Sequence, residues 1–123
     1  MPARKLVAQL MAELLSRIAH PERFRIIEEL ASGEKSVDEI VKILNISQPA
    51  VSQHLSALRS QALVIDHRRG RQVFYSLQHP WVATWLLDGL KLLEQNQNRS
   101  VDIPHAIQVA RKLWKQKKTK FLT

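Results

Sequence analysis

The chain has 123 residues, of which 45% are hydrophobic and 24% charged, so the composition predicts one globular domain and argues against a coiled coil, collagen or wholesale disorder. It contains no cysteine, which excludes disulfides and thiolate metal sites. The net charge of +8 indicates a polyanionic partner, and without a long apolar run or a signal-peptide pattern we expect a cytoplasmic protein.

The positive charge is concentrated near the C-terminus. Residues 99–123 hold seven Lys or Arg against Asp102 alone, a net of +6, whereas residues 1–98 net only +2. We expect residues 1–95 to form the main domain, and residues 96–123 to form a linker followed by a basic amphipathic helix and tail. Most of the positive charge therefore belongs to the C-terminal segment. A DNA-binding function for the main domain has to be argued from the positions of particular residues and not from net charge.

Three helices are predicted in the first third of the chain. Apolar residues at spacings of three and four predict a first helix over residues 4–19, and a second begins at Pro21 and stops near Gly33. Ser36, followed three residues later by Glu39, forms a capping box at the start of a short third helix.

A fourth helix follows after a tight turn at Asn45 and Ile46. Ser47 is a suitable N-cap, because its hydroxyl can accept a hydrogen bond from an amide of the first turn, and Pro49 is tolerated there. At about 100° per residue, one narrow sector of this helix is apolar and is expected to face inward. That sector holds Val51, Leu55, Leu58 and Ala62.

A β-hairpin with a basic tip comes next. Residues 63–67 and 72–77 are rich in strand-forming side chains and flank Gly70, which predicts two strands joined by a tight turn. Residues 80–95 then predict a helix that is apolar around most of its circumference. Such a helix needs to be covered on two sides.

Two short helices joined by a tight turn and followed by a basic hairpin form the layout of a winged helix-turn-helix. A recognition helix in the major groove needs an apolar inner side and small polar side chains outside, on its N-terminal half. The fourth helix meets both needs, so we predict a mainly α-helical fold with a small β-hairpin and an extra C-terminal helix. The predicted DNA contacts are Ser47, Gln48, Pro49, Ser52, Gln53, His54, Ser56, Arg59, Arg68, Arg69 and Arg71.

Some side chains have two interpretations. His54 borders the inner sector of its helix, where it either hydrogen-bonds a phosphate or packs against the scaffold. The hairpin arginines either contact phosphates or keep an exposed hairpin soluble, and we favour DNA contact because they follow a candidate recognition helix. The three tryptophans either line a ligand pocket or pack in the core or a dimer interface, and we favour packing.

The chain resembles the ArsR/SmtB family of bacterial repressors. The resemblance rests on residues 19–27 (AHPERFRII), 44–55 (LNISQPAVSQHL) and 69–77 (RGRQVFYSL). It implies a homodimeric winged-helix DNA-binding regulator, usually a repressor that an effector releases. The apolar pattern independently predicts a dimer, because the first helix and the last core helix each have an apolar side that the predicted core does not cover. The expected dimer contacts are Leu6, Leu10, Leu14, Trp81, Trp85, Leu86, Leu90 and Leu93.

Both metal-sensing sites of that family lack their ligands here. Many members carry a Cys-x-Cys pair at the start of the third helix, where this chain has residues 34–38 without cysteine. At the four positions of the family's interhelical zinc site the chain has His79, Trp81, Leu92 and Gln95, of which only His79 could coordinate a metal. We therefore predict no metal and no cofactor, and the effector is an unidentified organic molecule, a protein or absent.

The main alternative is a winged-helix interaction module or membrane-surface adaptor that acts through its basic tail. A repressor should prefer its own site over bulk DNA by about a thousandfold or more, and an adaptor should not. No catalytic motif is present, so an enzyme is not expected. The expected partners are double-stranded DNA and a second copy of the chain, with no membrane, which places the protein at the bacterial nucleoid.

Overall fold

The computed structural model describes residues 2–95, 105–110 and 112. Over residues 2–94 the elements are α1 (Pro2–Ile18), α2 (Pro21–Leu30), β1 (Lys35–Ser36), α3 (Val37–Leu44), α4 (Gln48–Ser60), β2 (Val64–Arg69), β3 (Gln72–Leu77), α5 (Trp81–Asp88) and α6 (Leu90–Glu94). Residues 105–110 are also helical, and Ile107 is buried there. Residues 96–104, which include most of the predicted linker, and residues 113–123, which include the predicted basic tail, lie outside the described residues.

The predicted helix caps around α3 and α4 are confirmed. The Ser36 hydroxyl accepts a hydrogen bond from the Glu39 amide at 3.1 Å, and the Glu39 carboxylate accepts one from the Ser36 amide at 3.2 Å, so the capping box is complete. Asn45 ends α3 in the left-handed conformation, at a φ of 55°. Two residues later the Ser47 hydroxyl accepts a hydrogen bond from the Ala50 amide at 3.3 Å. These contacts define the tight turn between the two helices.

One apolar core joins α2, α3, α4 and α5 to the end of α1 and the start of β2. Its most deeply buried aliphatic side chains are Ile26, Ile27, Ile40, Val51, Leu55, Leu58 and Val64. Fully burying an aliphatic side chain of this size stabilises a fold by about 1.5–3 kcal/mol. Because three of these residues belong to α4, the core fixes which side of that helix faces outward.

The sheet has three antiparallel strands in the order β1-β3-β2. The sequence predicted the hairpin of β2 and β3 but not β1, a two-residue strand that is too short to show alternation. Arg69 pairs with Gln72, which leaves Gly70 and Arg71 as the two-residue loop. Gly70 has a φ of +62°, which glycine adopts at little cost, as the predicted tight turn requires.

The prediction that Ala62 lies on the inner side of α4 is wrong. The helix ends at Ser60, and Ala62 is exposed, with a left-handed φ of 56°. The Leu63 amide bonds to the Leu58 carbonyl at 3.1 Å and the Ala62 amide bonds to the Arg59 carbonyl at 2.9 Å, which is the Schellman arrangement. Leu63 takes the buried place instead, as the apolar residue that follows this cap.

The predicted single helix over residues 80–95 is divided. Gly89 separates α5 from α6 while keeping right-handed helical angles, and a Cβ atom there would lie 3.1 Å from the Leu86 carbonyl oxygen. Val82, Ala83 and Leu90 are buried. The opposite side of this segment is exposed over most of its length.

Candidate nucleic-acid interface

The outer side of α4 carries polar side chains that the rest of the described chain does not engage. Gln48, Ser52, Gln53 and Ser56 are exposed, and none of the four side chains makes a hydrogen bond to another residue that the structure describes. Pro49 is exposed beside them. Side chains in this state can bind base edges without first breaking an internal contact.

The inner side of the same helix is fixed. Val51, Leu55 and Leu58 have no exposed surface, and they pack in the core shared with α2 and α3. Tight packing of this kind resists rotation of the helix, because any rotation would open voids. Ser47 caps the helix at the end where a DNA phosphate could approach. The polar side chains are therefore presented from a rigid support.

Arg59, another predicted DNA contact, binds a carboxylate of the hairpin. Its Nε lies 3.2 Å from Asp66 Oδ1, and its Nη1 donates to Asp66 Oδ2 at 3.4 Å. The pair joins the last turn of α4 to β2. Exposed ion pairs contribute about 1 kcal/mol or less, so the contact orients the two elements more than it stabilises them.

The hairpin tip holds Arg69 differently from its two neighbours. Arg69 Nη1 lies 2.7 Å from Glu34 Oε1, and its guanidinium sits over the Phe74 ring at 5.1 Å from the ring centroid. Arg68 and Arg71 are exposed and form no ion pair within the described part of the chain. Two of the three tip arginines are thus available to a phosphate without competition.

Glu34, which lies in the loop between α2 and β1, also binds His67. The His67 Nε2 atom lies 3.0 Å from Glu34 Oε2, and the imidazole stacks on Phe74 at a centroid distance of 5.9 Å. One carboxylate therefore restrains two side chains of β2. Sequence spacing gave no sign of this contact, because Glu34 is separated from both partners by more than 30 residues.

His54 lies half-buried on the flank of α4 and contacts the scaffold. Its Nδ1 accepts a hydrogen bond from Arg23 Nε at 3.0 Å, and its ring lies 6.0 Å from that of His20. Burial and then the Arg23 charge lower the pKa of His54, with Glu22 acting in the opposite sense. The neutral imidazole is favoured here. Arg23 had no predicted role, although it lies in the first of the three segments that carry the resemblance.

The residues predicted to form a dimer fall into two groups. Leu6, Leu10, Trp81, Trp85 and Leu93 are exposed, with Trp81 at 62% and Leu10 at 55%. By contrast, Leu14 and Leu86 pack partly buried against the core of the same chain, and Leu90 is buried. The exposed group is extended by further apolar side chains, namely Val7, Met11, Leu15 and Leu92.

Within residues 2–95, 105–110 and 112, no group of three or more His, Asp or Glu side chains is placed to hold a metal ion. His79, the one metal-binding residue type at the positions aligned with the zinc site, stacks on Trp81 with ring centroids 5.3 Å apart. The helices described are all too short or too polar to cross a bilayer.

The chain is similar in sequence to bacterial regulators. The family model for bacterial regulatory proteins of the arsR family matches residues 20–66, from α2 to the start of β2. The chain is 35% identical to the HTH-type transcriptional repressor SmtB of Mycobacterium tuberculosis, over 72% of this chain and 66% of that protein, just under two thirds of its length. It is 40% identical to the transcriptional repressor PagR of Bacillus anthracis, over 58% of this chain and 72% of that one.

A solved structure shows the same fold. NolR from Sinorhizobium fredii superposes with a TM-score of 0.68 at 32% identity, over 76% of this chain and 92% of that chain. The winged helix-turn-helix predicted from the sequence is confirmed.

Proposed function

The chain belongs to the ArsR family of bacterial regulatory proteins, and from that premise we propose that it is a homodimeric repressor that binds a specific DNA sequence. The family consists of regulators rather than enzymes, in line with the sequence analysis. The family assignment does not favour the alternative of an adaptor acting through a basic tail. Because the proposed protein binds DNA, we also propose that it acts at the bacterial nucleoid.

The observation that carries this proposal is the two-sided character of α4. One side is locked in the core by Val51, Leu55 and Leu58, and the other presents side chains that are exposed and unengaged. Gln53 and Gln48 can each pair with adenine through two hydrogen bonds. The serine hydroxyls can donate to an acceptor on a base edge or accept from a donor there. An ordinary surface helix also has a packed side and a polar side, but its polar side is usually rich in charged residues, whereas the positions of α4 before Arg59 that are not buried include only one histidine and otherwise small or amide side chains.

The hairpin supplies the contacts that do not depend on sequence. Arg68 and Arg71 carry full charges at its exposed tip, and a winged hairpin next to a recognition helix lies against the backbone or in the adjacent minor groove. Arg59 is bound to Asp66, so we propose that its main role is to join the helix to the hairpin and not to contact a phosphate.

We propose the exposed apolar side chains of α1 and of α5 with α6 as the dimer interface. Leu10 on α1 and Trp81 on α5 keep more than half of their surface exposed in the single chain. Several large apolar side chains exposed along the same helix mark an interaction site. Two copies joined there would place their recognition helices about one turn of B-DNA apart, roughly 34 Å, which suits an inverted repeat.

The dimer interface can be tested by sedimentation. We expect Leu10→Glu to convert the dimer to a monomer, because it places a charge in the apolar contact. Ile65→Glu is the matched control, since Ile65 is also an exposed aliphatic residue, 44% exposed, but lies on β2. A monomeric wild type, or equal effects of both variants, would contradict this interface.

The effector, if the protein has one, is proposed to be neither a thiophilic metal nor zinc. The chain has no cysteine, and three of the four positions aligned with the family's interhelical zinc site cannot coordinate. Zinc and cadmium at low micromolar concentration should leave DNA binding unchanged with or without a chelator. Stoichiometric release of DNA by either ion would reveal a site of His and carboxylate ligands.

The experiment that tests the proposed function is selection of duplexes from a random DNA library by the wild-type protein. We expect enrichment of an inverted repeat with half-site centres about 10 base pairs apart. The selected duplex should bind about a thousandfold or more tightly than a scrambled duplex of the same composition. Equal affinity for the two duplexes would contradict the proposal.

A further inference from the structure

Arg23 is a buried cation that joins the dimerisation helix α1 to the recognition helix α4. Only 9% of its surface is exposed. Its Nη1 donates to the Arg17 carbonyl oxygen at 3.1 Å, in the last turn of α1, and its Nε donates to Nδ1 of His54 at 3.0 Å. The two donors belong to one rigid planar fork, so the positions of the carbonyl and the imidazole are set relative to each other.

The contact determines which nitrogen of His54 carries the proton. A guanidinium can only donate hydrogen bonds, so the nitrogen that accepts from it cannot itself be protonated. In the neutral ring the proton must then lie on Nε2, at the opposite side of the imidazole. Burial and the Arg23 charge lower the pKa of His54, in agreement with a neutral ring.

His54 is only half-buried, and Nε2 is the polar atom of the ring that Arg23 leaves unused. The residue lies on the flank of α4 next to Gln53, between the helix side that faces the core and the side that faces outward. A DNA phosphate at the edge of the major groove is an acceptor that matches a lone N–H donor at such a flank. The scaffold contact and the phosphate contact are compatible, because each uses a different ring nitrogen.

We propose that Arg23 is a positioning residue for DNA binding, which holds His54 in the tautomer and orientation whose Nε2–H donates to a phosphate. The inference rests on the proposed function. The proposal adds Arg23 as a residue that does not itself touch DNA, and it assigns His54 a contact with the DNA backbone made by a neutral donor.

Two substitutions at His54 separate its two ring nitrogens. In His54→Gln the amide nitrogen can reach the place of Nε2 and donate to a phosphate while the amide oxygen accepts from Arg23. In His54→Asn the amide oxygen can replace Nδ1 and accept from Arg23, but no donor reaches the DNA. We expect His54→Asn to bind the selected and scrambled duplexes about tenfold more weakly, and His54→Gln to stay within about threefold of wild type. The reverse order would overturn the phosphate contact.

Salt dependence distinguishes a neutral donor from a cation. A neutral imidazole releases no counterion, so His54→Asn should leave the slope of log affinity against log salt unchanged, while a charged contact would lower it by about one unit. A loss of one unit in the His54→Asn variant would contradict the neutral tautomer.

The role of Arg23 is tested with Arg23→Met, which keeps much of the aliphatic volume and removes both donors. We expect the same roughly tenfold loss as in His54→Asn, and no further loss in the double variant, because both changes remove one contact. Additive losses would overturn the proposal. Thermal unfolding of each variant shows whether it is folded.

Nitrogen NMR of the free wild-type protein provides a test that needs no variant. The two ring nitrogens of a neutral histidine resonate far apart, and long-range correlation to the ring protons assigns which one is protonated. We expect the proton of His54 on Nε2, and a proton on Nδ1 would overturn the proposal even if Arg23→Met does not fold. Equal binding of selected and scrambled duplexes by wild type would instead contradict the proposed function, while the NMR result would still stand.

Discussion

Helix α4, the proposed recognition helix, and the hairpin of β2 and β3 were both predicted to contact DNA, but their polar and charged side chains make different contacts within the chain. The outer polar side chains of α4 are unengaged, while Arg69 and His67 of the hairpin are bound by Glu34, and Arg59 at the end of α4 is bound by Asp66. A base-reading surface must be free to form short, directional bonds. A phosphate-binding hairpin can tolerate an internal ion pair at Arg69, because Arg68 and Arg71 still supply positive charge at its tip.

The largest expected effect comes from breaking the support of α4. Leu55→Ala should lower the free energy of unfolding by about 2–5 kcal/mol, because Leu55 has no exposed surface and truncation leaves a cavity in the core. Gln53→Ala, two residues away on the outer side, should change it by less than about 0.5 kcal/mol. Chemical denaturation measures both. Similar losses in the two variants would show that the outer side of α4 is part of the packing.

The turn after α4 and the turn between β2 and β3 should respond in opposite ways to exchange of glycine and alanine. Ala62 after α4 and Gly70 in the hairpin both have φ near +60°, where a Cβ costs about 1 kcal/mol or more. Ala62→Gly should therefore stabilise the protein by about 1 kcal/mol, and Gly70→Ala should destabilise it by a similar amount. Nothing lies within 4 Å of a Cβ at Gly70, so the effect there is conformational rather than steric crowding by neighbours. A stabilising Gly70→Ala would contradict this account.

The hairpin arginines should differ in their contribution to salt dependence. Arg71→Ala should lower the slope of log affinity against log salt by about one unit on any duplex, because Arg71 has no ion pair to break among the described residues. Arg69→Ala should lower it by clearly less, since Glu34 already neutralises Arg69. Gln72→Ala, next to Arg71 and uncharged, should leave the slope unchanged.

Glu34→Gln sharpens this comparison. Without the carboxylate, Arg69 should become as available as Arg71, and removing Arg69 in the Glu34→Gln background should then lower the slope by about one unit. Equal slopes for Arg69→Ala and Arg71→Ala in the otherwise wild-type protein would mean that Glu34 does not restrain Arg69.

The smallest expected effect is a pH dependence of stability from His54. Burial and the Arg23 charge lower the pKa of His54 in the folded protein from the ordinary histidine value of about 6.5, so the unfolded chain takes up the proton first as the pH falls. Wild type should lose stability relative to His54→Asn from about pH 6.5 downward, until the pH passes below the folded pKa. The groups that act on this imidazole are Arg23, His20 and Glu22. A stability difference between wild type and His54→Asn that does not change between about pH 7.5 and 5 would contradict the lowered pKa.

Local signals in the sequence were sufficient for most of the fold and for the outer side of α4. The capping box of Ser36 and Glu39, the N-cap at Ser47 and the turn at Gly70 each depend on residues close in sequence, and each was predicted. The DNA contacts assigned to these segments stay predictions.

The features that the sequence did not reveal depend on contacts between distant residues or on short elements. Arg23 meets His54 across 31 positions, and Glu34 meets Arg69 from another loop, so no periodic pattern could indicate either pair. The left-handed Ala62 was misassigned because alanine is a strong helix former whose conformation here is imposed by the cap that buries Leu63.

The most direct test of a base-reading helix beside a phosphate-binding hairpin is the affinity of Gln53→Ala and Arg71→Ala for the selected duplex and for its scrambled counterpart. Gln53→Ala should weaken binding to the selected duplex by about 1–3 kcal/mol and leave the scrambled duplex almost unaffected, whereas Arg71→Ala should weaken both to the same extent. Equal losses on the two duplexes for Gln53→Ala would show that α4 does not read bases through this residue and would contradict the account.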